Sequence, residues 1–210
     1  IMCMSFSNPR EIENAGLPEE ARRQVTLQNP LSENYSGMRT SLVPGVLSTI
    51  AANMRRGAAD TALFEAGPVY IPLENEDLPE EGYRCAIALS GTLGGKHWSA
   101  PARKVDFYDL KGYAEALFDC LGVTWQLEPL ESPAYHPRAS ARILLDGKPA
   151  GTMGETHPKV LRAFDIEQPV FLLELDIDPL LGASRSPALF TEPPTLPPSL
   201  RDLAVIVDKS

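Results

Sequence analysis

The chain has 210 residues, 43% of them hydrophobic and 22% charged, enough to bury one large core or two small ones. Its formal net charge of −9 does not by itself suggest a nucleic-acid surface, because phosphate binding needs clustered Lys and Arg; one basic patch, or a place in a larger RNA-binding assembly, stays open. Cys3, Cys85 and Cys120 are scattered and odd in number, with neither a disulfide framework nor metal spacing. With no signal peptide and no apolar run of membrane length, they favour a reducing, cytoplasmic setting. Ile1 is not an initiator and the end at Lys209-Ser210 is abrupt, which predicts a piece of a longer protein.

In chain order, Ile1 to Phe6 (IMCMSF) reads as a buried strand. Asn8-Pro9 opens a short helix closed by Gly16, and Glu19 to Leu27 ends in a strand, QVTL. Asn29 to Gly57 is the organising stretch: a polar loop delivers Arg39 to the mouth of an amphipathic helix. Thr40 or Ser41 can cap that helix and Pro44 sits harmlessly in its first turn. Leu42, Val43, Val46, Leu47, Ile50, Ala51 and Met54 form its apolar stripe, and Arg55, Arg56 and Gly57 suit its C-terminal end.

Thr61 to Tyr70 reads as a strand that Gly67-Pro68 bends or bulges. An acidic loop over Glu74 to Gly82 leads to a strand at Tyr83 to Gly91, and Gly94-Gly95 marks a turn. Asp106 to Gly122 is the second strong helix, capped by Asp106 or Asp109, with a stripe of Leu110, Tyr113, Ala114, Leu117, Phe118 and Leu121. Strands follow at Val123 to Leu127, Arg138 to Leu145 and Ala150 to Glu155, the last two joined by the Asp146-Gly147 hairpin. A short helix at His157 to Phe164 and a strand at Val170 to Ile177 complete the pattern. Hairpin-joined strands with inserted helices predict an α+β fold, an antiparallel sheet flanked by helices. Pro187 to Pro198 reads as an extended linker and Ser199 to Asp208 as a fresh strand, with a domain boundary between them and what precedes.

No pattern assembles a nucleophile, a base and an orienting group, and there is no Walker or dinucleotide phosphate loop. Glu155-Thr156-His157 reads as a turn and a cap more readily than as an acid–base pair. His136-Pro137-Arg138 reads as a loop with a surface arginine more readily than as a phosphate site. Glu174, Asp176 and Asp178 alternate with Leu173, Leu175 and Ile177, which predicts three carboxylates on one solvated or partner-facing strand face.

Seven strings together go further. SFSNPREIENAGL, NPLSENYSGMRTSLVPGVLSTIAANMRRG, LFEAGPVY, DFYDLKGYAEALFDCLG, HPRASARILLDGKPAGTMGETHPKVL, ELDIDPLL and PPSLRDLAVIVD, in this order, closely resemble the bacterial phenylalanyl-tRNA synthetase β subunit over essentially the whole chain. The resemblance implies a degenerate class II synthetase-like module over residues 1–186, without the long interface helix that precedes IMCMSF in the family. It also implies a linker at 187–198 and, at 199–210, the first strand of a ferredoxin-like anticodon-binding domain. The family enzyme is an (αβ)₂ heterotetramer that esterifies tRNA(Phe) with phenylalanine using ATP and Mg²⁺. Its α subunit does the chemistry and its β module is non-catalytic.

In active class II enzymes, arginines of the second and third signature motifs hold ATP phosphates. The matching regions here are Gly67 to Asp77, which has no arginine, and Val170 to Leu181, which is acidic. Carboxylates where a triphosphate belongs are repulsive. The fragment is therefore expected to have no catalytic, cofactor or metal residues, and to pair with the α subunit, with no membrane partner. Its structural or interface candidates are Arg39, Glu65, Asp109, Lys111, His136, Glu155 and His157, with Arg39 holding its loop through Glu33 or Glu65. The apolar Ile1 to Phe6 face is an interface candidate. A tRNA-binding module, using a patch of Arg39, Arg55, Arg56, Arg103, Lys104 and Arg138, is the alternative.

Overall fold

In the computed structural model, the described residues are 1–74, 76, 78–93, 98, 102–183, 192, 199 and 201–205. The elements in order are β1 (Phe6–Ser7), α1 (Pro9–Asn14), α2 (Glu19–Arg22), a 3₁₀ turn (Glu33–Tyr35), β2 (Gly37–Met38) and α3 (Val43–Arg55). Then come β3 (Thr61–Ile71), β4 (Glu80–Ser90), β5 (Thr92–Leu93), β6 (Arg103–Lys104), α4 (Phe107–Leu121), β7 (Trp125–Pro129) and β8 (Tyr135–Leu145). β9 (Lys148–Thr156), α5 (Pro158–Ala163), β10 (Val170–Asp176) and α6 (Ile177–Ala183) complete the set.

Six strands form one antiparallel sheet in the order β3-β4-β10-β9-β8-β7. The fold is thus α+β, as the hairpin pattern predicts. Alternation along each strand divides the side chains between two cores. On one face, Ala86, Ala88, Val170 and Leu172 pack with α3, α1 and α5. On the other, Leu89, Ile143, Met153, Leu173 and Leu175 pack with Leu110, Ala114 and Phe118 of α4. Val46, Leu47 and Ile50 of α3 are fully buried, and each contributes roughly 1.5–3 kcal/mol by leaving water.

The local signals give the helix ends. Asn8 accepts from the Arg10 N–H at 3.0 Å and starts α1. Asp106 and Asp109 form a reciprocal capping box on α4, and Gly122 ends it in the left-handed conformation at φ 64°. Asp146 and Gly147, at φ 47° and 78°, make the tight turn between β8 and β9.

Several expectations need correction. Only Phe6–Ser7 of the first segment pairs, with Gly37–Met38; Met2 is 94% exposed, and Ile1 and Met4 are exposed as well. Five hydrophobic residues in six are no guarantee of burial when no neighbouring element covers them. The QVTL strand reduces to one bridge, Thr26 to Gly37. Gly67-Pro68 makes no bulge, because the β3–β4 register runs unbroken from Thr61–Ser90 to Ile71–Glu80. β3 is an edge strand, where a missing proline N–H costs no ladder bond. β4 starts at Glu80, inside the expected loop, and Tyr113 is 47% exposed, off the buried stripe of α4. Asp178 lies in α6, not on the β10 face.

Gly94-Gly95 and most of the proline-rich 187–198 stretch lie outside the described residues. Of the 199–208 segment, residues 201–205 are described and carry no strand pairing. No described helix is long and apolar enough to cross a membrane.

Two glycines of α4 are expected to respond in opposite directions. Gly112 is exposed in mid-helix with open space around its Cα, so Gly112→Ala should stabilise by about 1 kcal/mol. Gly122→Ala places a side chain at φ 64° and should destabilise by about 1 kcal/mol. Urea unfolding of both variants checks this.

Candidate functional site

The tripeptide Arg39-Thr40-Ser41, just before α3, is held by three neighbouring strands. On β3, Glu65 Oε1 accepts from Arg39 Nη1 at 2.6 Å, and Pro68 O accepts from Arg39 Nε at 2.8 Å. The Tyr70 N–H donates back to Arg39 O at 2.9 Å, so this segment also covers the free edge of β3. On β4, Arg84 Nη1 donates to Thr40 O at 3.1 Å. On β10, Glu174 Oε1 accepts from Ser41 Oγ at 2.9 Å and from the Leu42 N–H at 2.7 Å. Ser41 Oγ in turn accepts from the Val43 N–H at 3.1 Å.

At the start of α3, whose N-cap Leu42 has no side-chain cap, the Leu42 N–H is bonded by a carboxylate more than 130 residues away and the Val43 N–H by Ser41 Oγ. A negative charge belongs there, since free N–H groups and the helix dipole both favour it. The N-cap is thus neither Thr40 nor Ser41, and the Thr40 hydroxyl donates to Ala21 O.

The strand register explains the convergence. Glu65 lies opposite Ala86, and Ala86 opposite Glu174, so both glutamates stand in one row on the α3 side. Arg84, two residues before Ala86 on β4, lies opposite Asp176. Its Nε donates to Asp176 Oδ1 at 2.8 Å and its Nη1 to Glu174 Oε2 at 3.3 Å. Burial opposes the Arg84 charge, but Glu174 and Asp176 outweigh it and hold the guanidinium above its ordinary pKa. A Cβ on Gly67 would run into Arg39 Nη2, so the glycine makes room for the guanidinium.

Arg39 is 5% exposed and Glu65 1%. Glu65 Oε1 also accepts from the Cys3 N–H at 3.1 Å, while Glu65 Oε2 has no partner among the described residues. Burial first, then hydrogen bonding to Glu65, pushes the Cys3 thiol up to about 11, which keeps it protonated and unreactive at neutral pH.

Beside this clamp lies a cavity of about 410 Å³ on the same face. Leu17, Pro18, Val43, Leu130 and Leu172 supply apolar walls, and Arg84, Glu174, Asp176 and Thr152 a polar floor. Tyr135 lies along the floor with its hydroxyl 3.0 Å from Thr152 Oγ1, and burial raises its pKa. Two carboxylates face the Arg84 guanidinium across this floor, so that arginine is not free to hold a triphosphate.

Of the sequence candidates, only Arg39 and Glu65 meet. Glu33, the other partner weighed for Arg39, sits in the 3₁₀ turn, outside the contact. Asp109 caps its own helix and pairs with Arg103, and Lys111 pairs with Glu115 and lies 5.6 Å from the Trp125 ring centre. His136-Pro137-Arg138, expected as a loop, lies in β8 where the register with β9 shifts, and His136 Nδ1 accepts from the Arg138 N–H at 3.3 Å. Glu155 pairs in register with Phe171, and His157 Nδ1 accepts from the Lys159 N–H at 3.0 Å as the cap of α5. Thus Glu155 and His157 serve a strand and a helix start. The basic patch loses Arg39 to Glu65 and has Arg103 neutralised by Asp109.

Glu174, expected on a solvated or partner-facing strand face, is 9% exposed and bonded on both oxygens within the fold. Arg84 was missed altogether. The available signal was an arginine in the largely apolar YRCAIALS part of β4 and two carboxylates, Glu174 and Asp176, in β10, VFLLELD. No group of three His, Cys, Asp or Glu among the described residues could hold a metal ion.

Comparison with known sequences yields consistent matches. The family described as phenylalanyl tRNA synthetase beta chain CLM domain matches residues 1–177. The phenylalanine–tRNA ligase beta subunit of Symbiobacterium thermophilum is 36% identical over 99% of this chain and 24% of its own length. Those of Syntrophotalea carbinolica and Bacillus subtilis are 39% and 33% identical, over 98% and 99% of this chain and 26% of their own lengths. The chain spans about a quarter of the length of the curated relatives it matches.

Removing Arg39 strands a buried carboxylate, so Arg39→Ala should cost about 3–5 kcal/mol and lower the melting temperature by roughly 10 °C. Adding Glu65→Gln removes the orphaned charge and should recover part of that loss in the same melting experiment. An unchanged melting point combined with lost binding of RNA or of a partner subunit would mean that Arg39 contacts a ligand.

Proposed function

The chain belongs to the phenylalanyl-tRNA synthetase β-chain family, and from that premise we propose that it is a non-catalytic scaffold module pairing with the catalytic α subunit. In this reading residues 1–186 are a degenerate class II synthetase-like fold, residues 187–198 a linker, and residues 199–210 the start of a ferredoxin-like anticodon-binding domain. The holoenzyme is a cytoplasmic (αβ)₂ assembly that attaches phenylalanine to tRNA(Phe) with ATP and Mg²⁺.

One observation carries the reading. Two arginines of the α3 face are committed to the fold: Arg39 to Glu65, and Arg84 to Glu174 and Asp176. Stabilising the reacting phosphate is the central task of amino-acid activation, and it needs free, preorganised cations. Arginines held in this way support a fold rather than that reaction.

The opposite face near β3 supports the pairing role. Phe64 lies opposite Ile87, and Tyr83 opposite Pro68, so Phe64 and Tyr83 share one side of the sheet. They are 66% and 55% exposed, and α4 covers the other end of that face. The Ile1 backbone nitrogen lies 2.8 Å from Phe64 O, which brings exposed Met2 and Met4 to the same edge. Aromatic and methionine side chains left in water are characteristic of a docking surface.

Two measurements test the proposal. Co-purified with α subunit, the chain should bind it, and Phe64→Glu with Tyr83→Glu should weaken binding by roughly 30-fold or more at an unchanged melting point. In phenylalanine-dependent ATP–pyrophosphate exchange, the chain alone should give only background turnover; exchange without α subunit would refute the scaffold reading.

A further inference from the structure

The clamp on α3 leaves unused groups in the neighbouring cavity of about 410 Å³, a volume within the range of small-molecule sites. At one end, Asp176 bonds only through Oδ1, to Arg84 Nε at 2.8 Å, and its side chain is 43% exposed. Its second oxygen has no partner among the described residues. Glu174 and Asp176 together oppose the single charge of Arg84, which leaves this end of the cavity with a formal charge of −1. Beyond it, Leu17, Leu130 and Leu172, all less than a tenth exposed, form an apolar channel. Exposed Pro18, Glu131 and Pro133 stand at the margins.

We propose that this cavity binds a primary amine with an apolar tail, its ammonium on the free carboxylate oxygen of Asp176 and its tail between Leu17, Leu130 and Leu172. Charge selects the head group, because an anion would face the surplus carboxylate. Area selects the tail, since each buried methylene strengthens binding. Arg142, the other cavity cation, stands two strands from Glu174 through the pairings Arg142–Thr152 and Thr152–Glu174, a backbone span of about 10 Å. The Asp176 end is thus the one that takes the ammonium.

Titration of the ¹⁵N-labelled chain with n-octylamine, n-butylamine and n-octanoate tests the proposal. Octylamine should bind saturably at one site, with shifts confined to the cavity. Butylamine should bind at least about tenfold more weakly, through its lost methylenes, and octanoate likewise through its charge. Asp176→Asn should weaken octylamine by about tenfold while leaving the Arg84 contact an acceptor, and Leu130→Trp should abolish binding by filling the channel. Absence of saturable binding, equal binding of octanoate, or binding that survives both substitutions would overturn the assignment. If either variant fails to fold, the comparison of octylamine with octanoate on the unaltered chain decides alone.

Discussion

The first turn of α3 carries a set of unsatisfied N–H groups into the interior, and the structure is arranged around giving them a charge to bind. Glu174 supplies it from the middle of β10. Its other oxygen is bonded by Arg84, which offsets the cost of burying the charge. Arg84 in turn needs Asp176 and Thr40 O to satisfy its remaining donors. Each buried charge thus requires the next, and the chain of requirements fixes where α3 sits over the sheet. Buried ion pairs add little net stability over an apolar core. What they do here is set position, because a helix shifted by one turn would strand every one of these groups.

Arg39 and Glu65 repeat the arrangement at the sheet edge. The arginine reaches over Gly67, bonds Pro68 O, and ends on Glu65. Its backbone meanwhile accepts from Tyr70. One residue therefore closes the edge of β3 and neutralises a carboxylate beneath it. Together the two clamps commit Arg39 and Arg84 to the fold. Charges that hold the fold are not available to a phosphate, and moving them to one would expose their partners.

The two faces of the sheet then divide the work. The α3 face holds the clamp, with polar residues in the Glu65–Glu174 and Arg84–Asp176 rows and a cavity beside them. On the opposite face, α4 and α6 pack on the β4, β10, β9 and β8 part and leave Phe64 and Tyr83 near the β3 edge in water. An edge whose hydrogen bonds are already covered, with aromatic side chains still exposed, suits side-chain packing against a partner rather than strand addition.

By itself, the sequence determined everything that depends on near neighbours. The spans of α3 and α4, the Asn8 and Asp106 caps, the Gly122 stop and the Asp146-Gly147 turn follow from periodicity and from contacts within a few residues. The family motifs, being ordered strings, were equally legible. The pairing of Arg39 with Glu65 was one of two partners within reach of a guess, and the sheet row decided between them.

What only the tertiary structure decided is burial and long-range partnership. Glu174 looks like any alternating strand carboxylate; its burial depends on α3, whose N–H groups it meets across 132 residues. Arg84 depends on β10 inserting beside β4, a crossover that no local pattern specifies. Met2 and Met4 read as core for the converse reason, since apolar composition states a preference for burial while only the neighbouring elements can provide it.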